Sequence, residues 1–231
     1  MPNYLVYHLG SDDQVYECAY SILKYLQVYN IKPPQDDTLV VYTSRPEILE
    51  AYASFFNRFE LKELQGTGKT ESLRNFFAEH KGNMLYLDSN TYPVSDLSSV
   101  FSSIARGKIF ASGRTQVSDQ ASSGTLEQMT LLGMKCGNGQ SLDAALQEKT
   151  SVPMDIIARY DHLREFRLLL RDFFKRYQEE SVPNQVKLIH CVDAKQIEDQ
   201  KKRFLQLPFY QRFLRKMAGK AWNIANYKVK L

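Results

Sequence analysis

Through its first 112 residues the sequence alternates short β-branched and aromatic runs with segments of helical period, and this alternation limits the possible folds more than any other feature. "YLVYHL" (4–9) reads as a strand. After it, "SDDQVYECAYSILKYLQVY" offers cap candidates at Ser11 to Asp13, then Val15, Ala19, Ile22 and Leu26 at helical spacing. "IKPPQDD" breaks the chain, "TLVVYTS" (38–44) is a second strand, and Pro46 opens a helix expected to reach Phe56. "FELKEL" (59–64) reads as a strand and "ESLRNFFAEH" as a short helix that Gly82 ends. "NMLYLD" is the next strand, "VSDLSSVFSSIARG" a helix, and "KIFAS" a further strand. Successive β-α units of this kind demand a parallel or mostly parallel sheet with helices on both faces.

The pattern then changes. Residues 113 to 150 are polar and punctuated by glycine, as in "SGRTQVSDQASSGTLEQ" and "KCGNGQS", and are expected to form loop. From Val152 the chain reads as helical. Leu163, Phe166, Leu169, Leu170, Phe173, Phe174 and Tyr177 mark one face of a first helix, and two more are expected near 182–207 and 209–220. The expected organisation is therefore an α/β domain over 1–150 and a helical C-terminal region over 151–231.

No apolar run approaches the ~20 residues a membrane span needs. The N-terminus reads as a first strand rather than a signal peptide, and three cysteines far apart (Cys18, Cys136, Cys191) suit reduced thiols in a cytoplasmic protein. The net charge of +4 is unevenly spread: Gln200 to Leu231 holds nine Lys/Arg and no Asp or Glu. Such a segment attracts anionic partners over about a Debye length.

In an open parallel sheet, ligands bind beyond the carboxyl ends of the strands. Three stretches fall there: His8 to Ser11 (with Gly10), Tyr42 to Ser44 (with Thr43), and Asp88 in "MLYLDSNTYPVSDL" (84–97). Two readings of Asp88 stay open. It either serves a ligand at the end of its strand, or caps the turn that follows.

The run of apolar strand, acidic tripeptide, short connection and helix around Asp88 resembles the D-x-D region of GT-A fold glycosyltransferases, especially the glycogenin and galactosyltransferase-like group. "LVVYTSRPEILEAY" is similar to that family's second strand and helix. "ARYDHLREFRLLLRDFFKRY" resembles its H-Y-W-x-x-K segment. The resemblance implies a GT-A-like sheet with a helical C-terminal extension, and transfer of a sugar from a nucleotide-diphosphate donor to a glycan, lipid-linked or protein acceptor. A weakly held Mn or Mg would sit on Asp88 and Asn90, with His8, Gly10, Ser11, Tyr42 and Thr43 around the nucleotide. The motif is degenerate, because Asn90 stands where the second aspartate would be and brings no charge. Aligned on Tyr160, Arg159 replaces the histidine ligand and Arg164 the lysine. A guanidinium cannot ligate a metal but binds phosphate through two parallel hydrogen bonds. Both departures exchange metal for fixed cation, so Asp88, Arg159 and Arg164 are the catalytic candidates. The alternative is a fold-mate that has lost catalysis and serves as a nucleotide-sugar sensor or scaffold. The family's N-A-G-V-x-G stretch has no counterpart in the sequence.

Other features carry less. "QGTGKTES" (65–72) has Glu63 where a P-loop needs its first glycine, so a glycine-rich turn before a helix is the better reading, with Lys69 near an anion at most. His8 is the one histidine near the cleft; His80, His162 and His190 sit in helical patterns as packing or surface residues. In "LPFYQRFLRKMAGKAW" an apolar side (Phe209, Phe213, Leu214, Met217) lies beside a basic one (Arg212, Arg215, Lys216, Lys220). That suits either a packing helix or one lying on an anionic membrane from the cytoplasmic side, within the basic 200–231 segment. No nucleic-acid-binding framework is present.

Overall fold

The computed structural model describes residues 1–64, 66, 68–113, 126–137, 139, 141–146, 157–160 and 187–191. The alternation predicted for the first 112 residues is there: β1 (Asn3–Leu9), α1 (Asp12–Val28), β2 (Asp37–Thr43), α2 (Pro46–Leu49), β3 (Arg58–Glu63), α3 (Lys69–Glu79), β4 (Gly82–Leu87), β5 (Thr91–Pro93), α4 (Ser98–Ala105) and β6 (Phe110–Gly113). They are followed by β7 (Met129–Cys136), α5 (Leu142–Leu146), β8 (Ile157–Tyr160) and β9 (Leu188–Cys191). Six strands form one sheet in the order β3-β2-β1-β4-β7-β6, and β5-β9-β8 form a second, small one. In the large sheet β3, β2, β1 and β4 run parallel, while β7 is antiparallel to both its neighbours, β4 and β6.

Strand residues alternate between two cores. Leu5, Tyr7, Leu9, Leu39, Val41, Leu85 and Leu87 face α1 and α4. Val6, Val40, Met84, Tyr86, Leu132 and Met134 face α3 and α5. Because both faces are covered, the strands read as unbroken apolar runs rather than as alternating ones. The stripe on α1 works as predicted, with Val15, Ala19, Ile22 and Leu26 all buried. Cys18 and Cys136 are free, buried thiols; burial, then Glu17, pushes the Cys18 thiol up.

Several expectations fail for identifiable reasons. The helix predicted from Pro46 to Phe56 makes one α turn and continues as 3₁₀ from Glu50 to Phe55. Gly82 does not end α3, which stops at Glu79 with His80 as its C-cap; it opens β4. A side chain at Gly82 would lie 2.4 Å from the Pro2 carbonyl oxygen and 2.7 Å from Tyr4, so close backbone approach explains this glycine. The helix predicted from Val94 begins at Ser98, because the Val94 N–H donates to the Lys187 carbonyl and so extends the pairing of Thr91 to Pro93 with β9. The loop expected over 113–150 contains β7, eight residues in the middle of the sheet. The helical reading from Val152 is overturned at β8 and β9, and His190 therefore stands on a strand. His162, Arg164, the first C-terminal helix and the basic tail lie outside the described residues. Among the described residues no helix is long and apolar enough to cross a membrane.

At the amino edge of the sheet Asp37 is buried against Tyr25, whose hydroxyl donates to Oδ2. Burial raises the Asp37 pKa above the ordinary 3.8, while hydrogen bonds from Tyr25 and Asn3 pull the other way. The native state thus holds a proton that the unfolded chain releases, and this group costs stability as pH rises through that window. An Asp37→Asn variant keeps both contacts, because its carbonyl accepts from Asn3 and its NH2 donates to Tyr25. Relative to this variant, the wild type is expected to gain stability as pH falls from neutral to below 3.8. Urea midpoints of the two proteins at both pH values would check it; a constant difference would refute it.

Candidate functional site

From β1 the connection through α1 leads to β2 on one side, while β4 joins β1 on the other. The order of the parallel strands reverses there, and in folds of this kind ligands bind outside the carboxyl ends of the strands at that point, here β1 and β4. His8 pairs in register with Tyr42, and two residues before it Val6 pairs with Tyr86. His8, Tyr42 and Asp88 therefore stand at one level across three strands, as the sequence predicted.

The individual residues are more occupied than predicted. Ser11 caps α1, its Oγ accepting from the Gln14 N–H at 3.5 Å, and Gln14 Oε1 reaches back to the Gly10 N–H at 2.6 Å. That ties up Gly10 and Ser11 in forming the first turn, although both are exposed. Thr43 is fully buried and its Oγ1 accepts from the Arg45 N–H at 3.0 Å. Tyr42 is buried too, with Lys62 Nζ 5.6 Å from its ring centroid; burial, with Glu79 and Glu60 nearby, pushes its phenol up. Arg45 bridges the two loops by donating to Asp12 at 2.9 Å.

Asp88 is only 2% exposed. Its Oδ1 accepts from the Ser89 N–H at 3.1 Å, and its own N–H donates to the Thr130 carbonyl at 2.9 Å. Turn capping, one of the two readings of this residue, is thus observed; the open presentation to a crevice that the other reading needs is not. The turn is held from beneath as well. Ser89 Oγ donates to Glu17 Oε2 at 2.6 Å, and Ser21 Oγ donates to the Thr91 carbonyl at 3.0 Å while contacting the Tyr7 hydroxyl at 2.8 Å. Glu17, Ser21 and Thr130 were not anticipated. Glu17 and Ser21 sit one turn apart on α1, beside its apolar stripe, and two polar groups buried along such a stripe are the available signal.

Arg159 is on β8, opposite His190 on β9, which is opposite Thr91 on β5. One row of the small sheet thus links Arg159 to the residue after Asn90, two strand spacings or about 10 Å away. The small sheet, which the sequence did not foretell, brings Ile157–Tyr160 and Leu188–Cys191 alongside the strand that follows the Asp88 turn.

Lys69 and the neighbouring glycines build no phosphate loop. The lysine is buried, with Nζ donating to the carbonyls of Glu127 (3.2 Å) and Met129 (2.5 Å) and lying 4.8 Å from the Tyr86 ring centroid. It fastens α3 to β7. Burial acts on Glu127 in the opposite sense, but hydrogen bonds from Thr70 and the charges of Lys69 and His8 hold its carboxyl below the usual range. A tightly held divalent metal does not fit the groups in view. Asp88 Oδ1 is committed to Ser89, Asn90 is uncharged, and among the described residues no three His, Cys, Asp or Glu are placed to share an ion.

By sequence the chain matches no protein-family model and no curated protein. By structure it superposes on the glycosyltransferase GlyE of Streptococcus pneumoniae TIGR4 in its apo form, with a TM-score of 0.51 at 10% identity over 96% of this chain. A second GlyE structure gives 0.52 at 10% identity over 95%. The chain has the GT-A glycosyltransferase fold. It spans 64% of the length of the GlyE structures. In this GT-A domain a single antiparallel strand, β7, lies between β4 and β6, and β5 of the small sheet begins three residues after Asp88.

Proposed function

We propose that this GT-A domain is a glycosyltransferase that binds a nucleoside-diphosphate sugar at the carboxyl ends of β1, β2 and β4 and passes the sugar to a hydroxyl-bearing acceptor. The observation that supports the reading is the register row Thr91–His190–Arg159, in which the Arg159 backbone is two strands from the residue that follows Asn90. As the glycosidic bond to the donor phosphate breaks, the nucleoside diphosphate takes the bonding electrons and gains negative charge. Guanidinium groups already in place stabilise that charge without reorganising. In this reading Arg159 and Arg164 do so, His8 and Tyr42 bound the nucleotide side, and the Asp88–Asn90 turn sets the shape of the donor pocket. No step is assigned to a metal.

Titration calorimetry of the whole chain with UDP-glucose, UDP-galactose and GDP-mannose, each with and without manganese, tests the proposal. At least one donor is expected to bind without manganese, and Arg159→Ala to bind it ~10-fold to 100-fold more weakly, as befits loss of a charge-assisted hydrogen bond. Absence of binding to all three donors under both conditions would overturn it in favour of a fold kept as a scaffold.

A further inference from the structure

We propose that β3 is an interface at which two copies of this chain join edge to edge, continuing the large sheet across a two-fold axis. β3 ends that sheet, pairing in parallel with β2 on one side and with no strand among the described residues on the other. Its six residues, Arg58 to Glu63, contain no proline, glycine or bulge, which are common devices for keeping such an edge from pairing. The other free edges are less suited. β6 has four residues with a register shift at Ser112/Gly113, β5 has three residues and β8 has four.

The backbone of β3 sets out which residues can pair. The Leu64 N–H donates to the Thr43 carbonyl of β2. Backbone groups alternate in direction along a strand, so those of Lys62 and Glu60 also face β2, and those of Phe59, Leu61 and Glu63 face outward. An antiparallel copy with Leu61 opposite Leu61 sets Phe59 opposite Glu63. The three outward residues then exchange about six hydrogen bonds between the chains.

The side chains select this register. Between the hydrogen-bonded pairs, Glu60 of each copy stands opposite Lys62 of the other, at the close spacing of about 4.5 Å between Cα atoms. Sliding the copies by two residues one way puts Glu60 opposite Glu60 and Arg58 opposite Lys62. Sliding them the other way puts Lys62 opposite Lys62. Both alternatives bring like charges together. Within one chain Lys62 Nζ lies 3.3 Å from Glu79 and Glu60 lies 3.7 Å from His80 Nε2, yet the Lys62 and Glu60 side chains are still 30% and 42% exposed. Phe59 and Leu61 pack against the core from this edge, and a Leu61–Leu61 contact extends that apolar strip. A strand complementary to itself about Leu61 fits a second copy of this chain better than an unrelated strand.

Sedimentation equilibrium of the whole chain over about 1–100 μM is expected to show a mass rising toward that of a dimer, the weak association of a small interface. Glu60→Lys and Lys62→Glu each set like charges opposite one another and are expected to weaken association about tenfold or more. Mixing these two variants restores opposite charges at both contacts. The mixture is therefore expected to associate about as tightly as the wild type, while each variant alone stays weaker. A chain that is monomeric throughout, single variants that associate like the wild type, or a mixture no tighter than its components would each overturn the proposal. β2 separates β3 from β1, so the outcome does not depend on the transferase reading.

Discussion

On the proposed reading, replacing Asp88 by alanine is expected to lower sugar transfer ~100-fold and to cost the domain about 0.5–2 kcal/mol, whereas Asp88→Asn should recover both. The two losses share one cause. Oδ1 accepts from the Ser89 N–H and so holds the turn. An asparagine carbonyl reproduces that contact and an alanine leaves the donor without its partner. The transfer term follows from the turn, whose shape bounds the proposed donor pocket, and a displacement of about 1 Å there is enough for a loss of this size. Denaturant midpoints and donor-dependent kcat/KM on both variants check it. Loss of transfer in a stable Asp88→Asn would overturn this account and give the carboxylate charge a role of its own.

The parts of the fold that the sequence made legible are those governed by local rules. Helix α1 shows its stripe because one face is buried and the other is not, and β1, β2 and β4 show as apolar runs because both faces are covered. Asp88, His8 and Tyr42 could be placed at one sheet edge because the ends of parallel strands are fixed by where the runs stop. What could not be read depended on distant partners. Thr91 to Pro93 is a strand because β9 pairs with it from almost a hundred residues away, and nothing in "TYP" announces that. Leu188 to Cys191 and Ile157 to Tyr160 were absorbed into longer helical patterns, since four residues of strand carry too little period to be heard over their surroundings. The same limitation hid the supports of the site. Glu17 and Ser89 are 72 residues apart and meet in a buried hydrogen bond, so neither announces its partner.

The costliest omission was β7, and it leads to the other large effect. "MTLLGMKC" was lost among the polar, glycine-bearing stretches on either side, yet it pairs with β4 over six residues and with β6 on its far side. Leu131 and Leu132 are adjacent and both fully buried, Leu131 in the core under α1 and α4, Leu132 in the core under α3 and α5. Adjacent residues divide in this way only on a strand covered on both faces. Leu131→Ala and Leu132→Ala are therefore each expected to destabilise the domain by about 2–5 kcal/mol, the cost of a cavity in a packed core. Because the two side chains sit on opposite faces, the double variant should lose close to the sum of the single losses. Urea denaturation of the three variants measures this directly. A surface loop would show changes within about 0.5 kcal/mol at both positions, and an amphipathic helix would spare one of them. Between Gly133 and its neighbours there is also little room, since a side chain there would meet Ile104 at 3.0 Å and Phe110 at 3.2 Å. That glycine lets α4 lie close against the strand, and α4 in turn closes the sheet face on which the Asp88 turn is mounted.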